Sequence, residues 1–169
     1  MTAQAGKDDD AVDDTTGQYL SFTLGGDDYG IDILRVREIR GWEQVRRLPD
    51  APGYVKGVLD LRGTIVPIID LRMRFMQEAP EYKPTTVVIV MAIRDPDSQV
   101  HLVGAVVDGV SDVLDINTSQ IKPGPSIGAT ISRQYLKGMV SLERGMVILL
   151  DIDHLFDARE LTRLSEIAE

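Results

Sequence analysis

The chain has 169 residues and no cysteine, so it can bury a core without disulfides, and thiol nucleophiles, zinc–thiolate sites and iron–sulfur clusters are excluded together. Its formal net charge of −9 repels phosphate backbones and counts against nucleic acid as a partner. The opening residues MTAQAGKDDDAVDDTTG are acidic rather than basic then apolar, and no apolar run reaches the roughly 18 residues of a membrane span, so a cytoplasmic protein without membrane insertion is expected.

In chain order, residues 1–17 offer five aspartates and little to bury, which predicts a disordered acidic tail. The fold is expected to start at Gln18. From there β-branched runs alternate with GGDD, PDAP, RDPDS and PGPS, which are turn chemistry. QYLSFTL, YGIDI, KGVLDL, TIVPIID, TTVVIVMAI, VHLVGAVV, KGMVSL and GMVILLD are the predicted strands. Pro67 cannot donate a ladder hydrogen bond, which points to an edge or a bulge. Helices are few and short: Asp70 can cap LRMRFM, Asp151 or Asp153 can cap HLFDA, and Leu161, Leu164 and Ala168 recur at helical spacing in a C-terminal helix at 158–169 that packs on the domain.

An internal repeat organises these elements. An offset of 81 sets Lys56, Gly57, Leu61, Val66, Asp70 and Phe75 on Lys137, Gly138, Leu142, Val147, Asp151 and Phe156. An offset of 74 sets Gly30, Val36, Glu38 and Pro49 on Gly104, Val110, Asp112 and Pro123. The inference is a duplication with two similar β-subdomains, about 18–80 and 85–157, packed as paired barrels.

Signals for chemistry are sparse. His101 and His154 belong to no metal-binding spacing, and no phosphate loop, dinucleotide turn or serine elbow occurs. Asp95-Pro96-Asp97 opens like a calcium loop, but Val100 and Val106 stand where glycine and glutamate are required, so it reads as a turn. No cofactor and no metal are expected, and a binding module fits better than an enzyme. Between residues 35 and 47, Arg35, Arg37, Arg40, Arg46 and Arg47 face only Glu38 and Glu43, a local cationic patch in an acidic chain.

YGIDILRVREIRGWEQV (29–45), KGVLDLRGTIVPIIDLR (56–72), TTVVIVM (85–91), VVDGVSDVLDI (106–116) and YLKGMVSLERGMVILLDI (135–152) together resemble the CheW family of bacterial chemotaxis coupling proteins. The likeness runs in order from Gln18 to about Phe156. It implies a mostly β fold of two small SH3-like barrel subdomains, no catalysis and no cofactor. It also implies an adaptor that binds chemoreceptor cytoplasmic tips and the CheW-like domain of the histidine kinase CheA, and is recruited from the cytoplasm to membrane-associated receptor arrays.

Carried over residue by residue, the resemblance implies a receptor-binding surface at Ile33, Val36, Glu38, Gly57, Arg62 and Gly63, with Val106 from the second barrel. The kinase-binding positions it implies are Lys122 and Ile127 in the second barrel and Val45, Ile65 and Pro67 in the first. Arg62, held at a turn by Gly63, is expected to aim its rigid fork at a carboxylate, with Glu38 as an internal partner or a receptor contact. RDPDSQ at 94–99 looks longer than the family's short hairpin loop. The alternative is an acidic OB or SH3-like barrel for another ligand, weakened by the charge and by aromatics at 5% of residues.

Overall fold

The computed structural model describes residues 16–76, 80–123 and 133–168. The elements are β1 (Thr16–Leu24), β2 (Asp27–Asp32), a 3-10 turn (Ile33–Arg35), β3 (Val36–Gly41), β4 (Val55–Leu61), β5 (Thr64–Asp70) and the short helix α1 (Leu71–Met76). They continue with β6 (Val87–Arg94), β7 (Val100–Val107), β8 (Gly109–Asn117), 3-10 turns at Thr118–Gln120 and Arg133–Tyr135, β9 (Leu136–Leu142), β10 (Gly145–Leu150), α2 (Ile152–Leu155) and α3 (Ala158–Ala168). The mostly β expectation holds. β1 begins at Thr16, two residues ahead of the expected boundary, while the rest of the acidic tail lies outside the described residues.

Two five-stranded sheets form, in the orders β8-β1-β2-β10-β9 and β3-β6-β7-β5-β4. Exchanging each of β1 to β5 with the strand five places later turns one order into the other, so the two sheets share one topology. Each sheet is closed in the middle by one parallel pair, β2 with β10 and β7 with β5, with Gly30 opposite Leu149 and Gly104 opposite Ile68.

Two expectations are corrected here. The packing units are not contiguous at 18–80 and 85–157, because β3, β4 and β5 leave β1 and β2 to pair with β6 and β7, while β8, β9 and β10 return to β1 and β2. The two copies thus exchange their second portions. The sheets are also open rather than closed barrels, with β3 and β4 at the ends of one and β8 and β9 at the ends of the other. Single bridges, Arg46 to Val58 and Lys122 to Met139, line the outer sides of β4 and β9.

Three cores follow from this arrangement. The largest lies between the sheets, where Phe22, Leu24, Tyr29 and Ile31 meet Ile69, Ile89, Met91, Ile93 and Val103, all fully or nearly fully buried. Each sheet also folds over a smaller cluster, Leu61, Val66, Ile68, Val88, Val90 and Val106 in one and Tyr19, Ile116, Val140, Val147 and Leu149 in the other. At about 1.5–3 kcal/mol for each large apolar side chain removed from water, the shared core outweighs either satellite and makes the two units interdependent.

Helical expectations are met with one change of detail. Leu161 and Leu164 of α3 enter the shared core, and the helix lies on β5 and β7. Asp70 accepts the Arg72 N–H at 3.0 Å at the start of α1. Asp151 precedes α2 but makes no side-chain bond to its backbone, and takes the His154 ring at 2.7 Å instead. Pro67 is neither at a sheet edge nor in a bulge. It sits opposite Val58 on β4, and the ladder to β7 starts only at Ile68, so its missing N–H leaves no acceptor unpaired.

Candidate interaction surface

The first surface grows from a break in the strand register. Asp32 accepts the Leu34 N–H at 2.9 Å and caps the 3-10 turn, which swings the chain from β2 in one sheet to β3 in the other. Ile33 and Val36 on either side of the turn pack against the shared core, and Leu34 between them points outward at 77% exposure. Ile39 on β3 is also exposed. This apolar strip lies along an end strand beside the junction of the two sheets.

Arg62 and Gly63 form the two-residue hairpin between β4 and β5, with φ of 51° and 93°. Both positive values define a type I′ turn, in which Asn or Asp is the usual first residue and a long side chain is uncommon. Asp60 steadies the turn by accepting the Gly63 N–H at 2.8 Å. The Arg62 side chain is 78% exposed and its guanidinium is 3.5 Å from Glu38, whose other oxygen is 3.1 Å from Arg40. Glu38 is therefore an internal partner that orients Arg62, while most of the fork still faces water. An arginine kept in a left-handed conformation costs about 1–2 kcal/mol, a cost retained where the exposed group has a use.

The other expected receptor residues divide. Gly57 is buried, at φ 148°, and a Cβ there would collide with the Arg46 carbonyl oxygen and lie 2.7 Å from its carbonyl carbon. Its role is to let segment 42–48 bond to β4, through the Val58 N–H to Arg46 O at 2.8 Å, and it offers no side chain to a partner. Gly138 repeats the device, with a Cβ falling 2.7 Å from Lys122 O. Val106 is fully buried and belongs to β7, in the same sheet as β3 and β4 rather than in a second unit. Its alternation within the strand turns it inward onto Val66 and Ile68, so it cannot contact a receptor.

Of the expected kinase positions, Val45 is half-buried and lines a shallow hollow with Trp42, Arg47, Lys56 and Tyr82. Ile65 is half-buried opposite Asp60, and Pro67 is buried. Lys122 is exposed at the β9 end of the other sheet, and Ile127 lies outside the described residues. Val45 and Lys122 stand at corresponding ends, at the bridges from Arg46 to β4 and from Lys122 to β9.

Sequence reasoning missed three ties that hold the surface. Arg35 grips Asp153 at two points, 2.8 and 2.6 Å, and Asp153 also accepts the Arg94 N–H at 2.8 Å, which joins the 3-10 turn to α2 and the end of β6. Burial pushes the Asp153 carboxyl up, but the Arg35 fork and the Arg94 N–H outweigh it and hold it below its ordinary value. Arg72 is buried against both oxygens of Asp70 and reaches Asp108 at 3.0 Å, and Tyr82 donates its hydroxyl to Asp70 at 2.7 Å. Tyr82 then stacks on Trp42 at 4.5 Å between ring centres. Burial, followed by the bond to Asp70, raises the Tyr82 phenol well above its usual range. Cation pairing this far along the chain leaves no local signature.

The histidines are accounted for structurally, His101 at 2.9 Å from Asp95 in the 94–99 hairpin and His154 at Asp151. No helix among the described residues is long and apolar enough to cross a membrane.

A CheW-like domain model matches residues 18–160, nearly the whole of the two exchanged sheets. The chain belongs to the CheW-like family. It is 46% identical over 157 residues to the chemotaxis protein CheW of Klebsiella aerogenes, covering 92% of each chain. It is 34% identical over 143 residues to CheW of Rhizobium meliloti, covering 85% of this chain and 89% of that one. Among solved structures, the scaffolding protein TtCheW from Thermoanaerobacter tengcongensis superposes with a TM-score of 0.72 at 27% identity, over 83% of this chain and 88% of that chain. By this kinship, the protein is a chemotaxis scaffold of the CheW type, and its β-rich two-sheet fold is that of the family.

Proposed function

We propose that the protein couples the cytoplasmic tips of chemoreceptors to the histidine kinase CheA, by binding alone and without a cofactor. Receptor contact is assigned to Ile33, Val36, Glu38 and Arg62, with Leu34 and Ile39 added from exposure and with Gly57 and Gly63 shaping the backbone beneath. An amphipathic receptor hairpin would lay apolar positions on the strip and meet Arg62 with a carboxylate. The observation that carries this reading is the outward Arg62 in a left-handed turn position, 3.5 Å from Glu38 on the end strand β3.

Kinase contact is assigned to Val45 and Ile65 at one sheet, with buried Pro67 supporting the strand beneath, to Lys122 at the other, and to Ile127 in the segment that follows Lys122, so that one protein can face neighbours on two sides. Single contacts of this size are modest, and assembly strength then comes from multivalency in an array at the membrane, to which the cytoplasmic adaptor is recruited. Reconstitution of kinase, receptor tips and this protein, with each left out in turn, tests the reading. Stimulus-controlled phosphorylation should require all three, and control that persists without this protein would sink the proposal.

A further inference from the structure

Arg47, at the end of the cationic stretch 35–47, has no role in the function above, and the chain's single tryptophan, Trp42, lies in the same stretch. Trp42, Val45, Arg47, Lys56 and Tyr82 line the shallow hollow, which has a volume of about 360 Å³. Its walls are held by bonds to the fold behind them: the Trp42 N–H donates to the Thr86 carbonyl at 2.9 Å, the Val58 N–H to the Arg46 carbonyl at 2.8 Å, and the Tyr82 hydroxyl to Asp70 at 2.7 Å. Trp42 stacks on Tyr82, and Trp42 and Val45, both half-buried, pack on the cluster of Leu61, Val66 and Val88. Charge at the rim is one-sided. Arg47 is exposed and makes no ion pair among the described residues. The Lys56 ammonium is 3.9 Å from the Met73 sulfur and 5.5 Å from the centre of the Tyr82 ring, contacts that leave its charge unneutralised. Among the described residues no carboxylate lines the hollow, and Glu43 and Asp60 line a separate recess beside it.

We propose that this hollow takes an acidic segment of a partner protein, with an apolar or aromatic side chain seated on Trp42 and Val45 and carboxylates beside it reaching Arg47 and Lys56. An aromatic floor with a cationic rim is the composition of interface hot spots, where Trp, Tyr and Arg carry most of the binding energy. The bonds behind the walls preform the hollow, so little further ordering is lost on binding. In a chain of net charge −9, a rim of two cations without a carboxylate selects an acidic segment over a basic one. A nucleotide would find the same stacking surface and cations, but the hollow is shallow and its volume lies near the lower end of the range of about 300–1,000 Å³ for sites that bury a whole ligand. One or two side chains of a peptide fit it better. Resting on the kinase assignment above, which puts Val45 at a kinase contact, the segment belongs to the CheW-like domain of the kinase.

Because Trp42 is the only tryptophan, its fluorescence reports on the hollow directly. The full chain is titrated with the peptide acetyl-Glu-Asp-Leu-Phe-Asp-Glu-amide, with the same peptide carrying Gln and Asn in place of its acids, and with ATP. The expected result is a saturable change in emission with the acidic peptide, weakened about three- to tenfold by Arg47→Glu, kept by Arg47→Lys, and lost between about 50 and 500 mM salt. Lys56→Gln should weaken it likewise. No response to the acidic peptide, or an equal response to the neutral one, overturns the proposal, and so does saturation by ATP with none by the peptide. Binding of the kinase's CheW-like domain to the same variants should fall in parallel with peptide binding. Kinase binding that ignores Arg47→Glu while the peptide loses its grip would overturn the kinase as the occupant. A kinase domain that does not bind the unaltered protein at all would defeat the kinase assignment itself, and the peptide titration then decides the hollow alone.

Discussion

Arg144 reaches Asp112 at 2.6 Å and Ser21 at 2.9 Å, repeating across one sheet the tie that Arg62 makes to Glu38 across the other. Asp112 corresponds to Glu38 at the offset of 74, yet the arginine has moved one place along its hairpin, because Glu143 stands where Arg62 is expected. The acid on the end strand and the cation on the β-hairpin are thus both kept, and only the first copy places its arginine in a left-handed turn position. That difference sets the two ends of the molecule apart.

Arg62→Glu is expected to weaken receptor coupling and leave stability within about 0.5 kcal/mol, since the side chain is exposed. Arg62→Asn separates turn from function: it should raise stability by about 0.5–1 kcal/mol by suiting the type I′ turn, while coupling still falls. Thermal unfolding and reconstituted kinase assays read the two effects. Full activation of the kinase with Arg62→Glu would refute the receptor assignment.

Gly57→Ala should destabilise by more than about 3 kcal/mol, because the methyl meets the Arg46 carbonyl and the left-handed backbone disfavours any Cβ. Gly138→Ala, in the other sheet, should behave alike. Urea titration measures both, and a near-normal midpoint for Gly57→Ala would return Gly57 to the list of direct receptor contacts.

Asp153 makes part of the stability pH-dependent. Its carboxyl is held below its ordinary value in the folded state, so the contribution is complete above the unfolded pKa of about 3.9 and is lost as pH falls through the lower folded value. Asp153→Asn should therefore cost about 1–3 kcal/mol at neutral pH, with the deficit shrinking in acid. Equal deficits at pH 7 and pH 3 in chemical denaturation would contradict the Arg35 clamp.

Two tyrosines should respond in opposite ways to loss of the hydroxyl. Tyr82→Phe removes a donor from buried Asp70 and should cost about 1–2 kcal/mol. The Tyr29 hydroxyl is buried without a partner among the described residues, and burial, with a smaller effect of Asp27, pushes its pKa up to about 12. Tyr29→Phe should be neutral or stabilising by up to about 1 kcal/mol. Calorimetry of the pair decides, and a large loss at Tyr29 would point to a partner for its hydroxyl.

The surface was legible where one residue type announces a local geometry. Arg62-Gly63 between two apolar runs read as a turn, and it is one. The strands β3 and β8 were not among the predicted strands, and both stand at corresponding ends of their sheets with mostly half-buried or exposed side chains. With one edge in water they lack the apolar run that reveals an inner strand. Val106 was misplaced for the converse reason, since a run buried on both faces does not tell which side chains look inward.

The sequence by itself determined the strands of apolar residues, the turns between them and the C-terminal helix, because each depends on periodicity or turn chemistry within a few residues. Only the tertiary structure decided which strands pair, that β3, β4 and β5 leave β1 and β2 for the other sheet, and that Arg35 with Asp153 and Arg72 with Asp108 tie distant segments together. Strand partners are chosen by closing one shared core between two sheets, a condition on the whole chain that no single stretch contains.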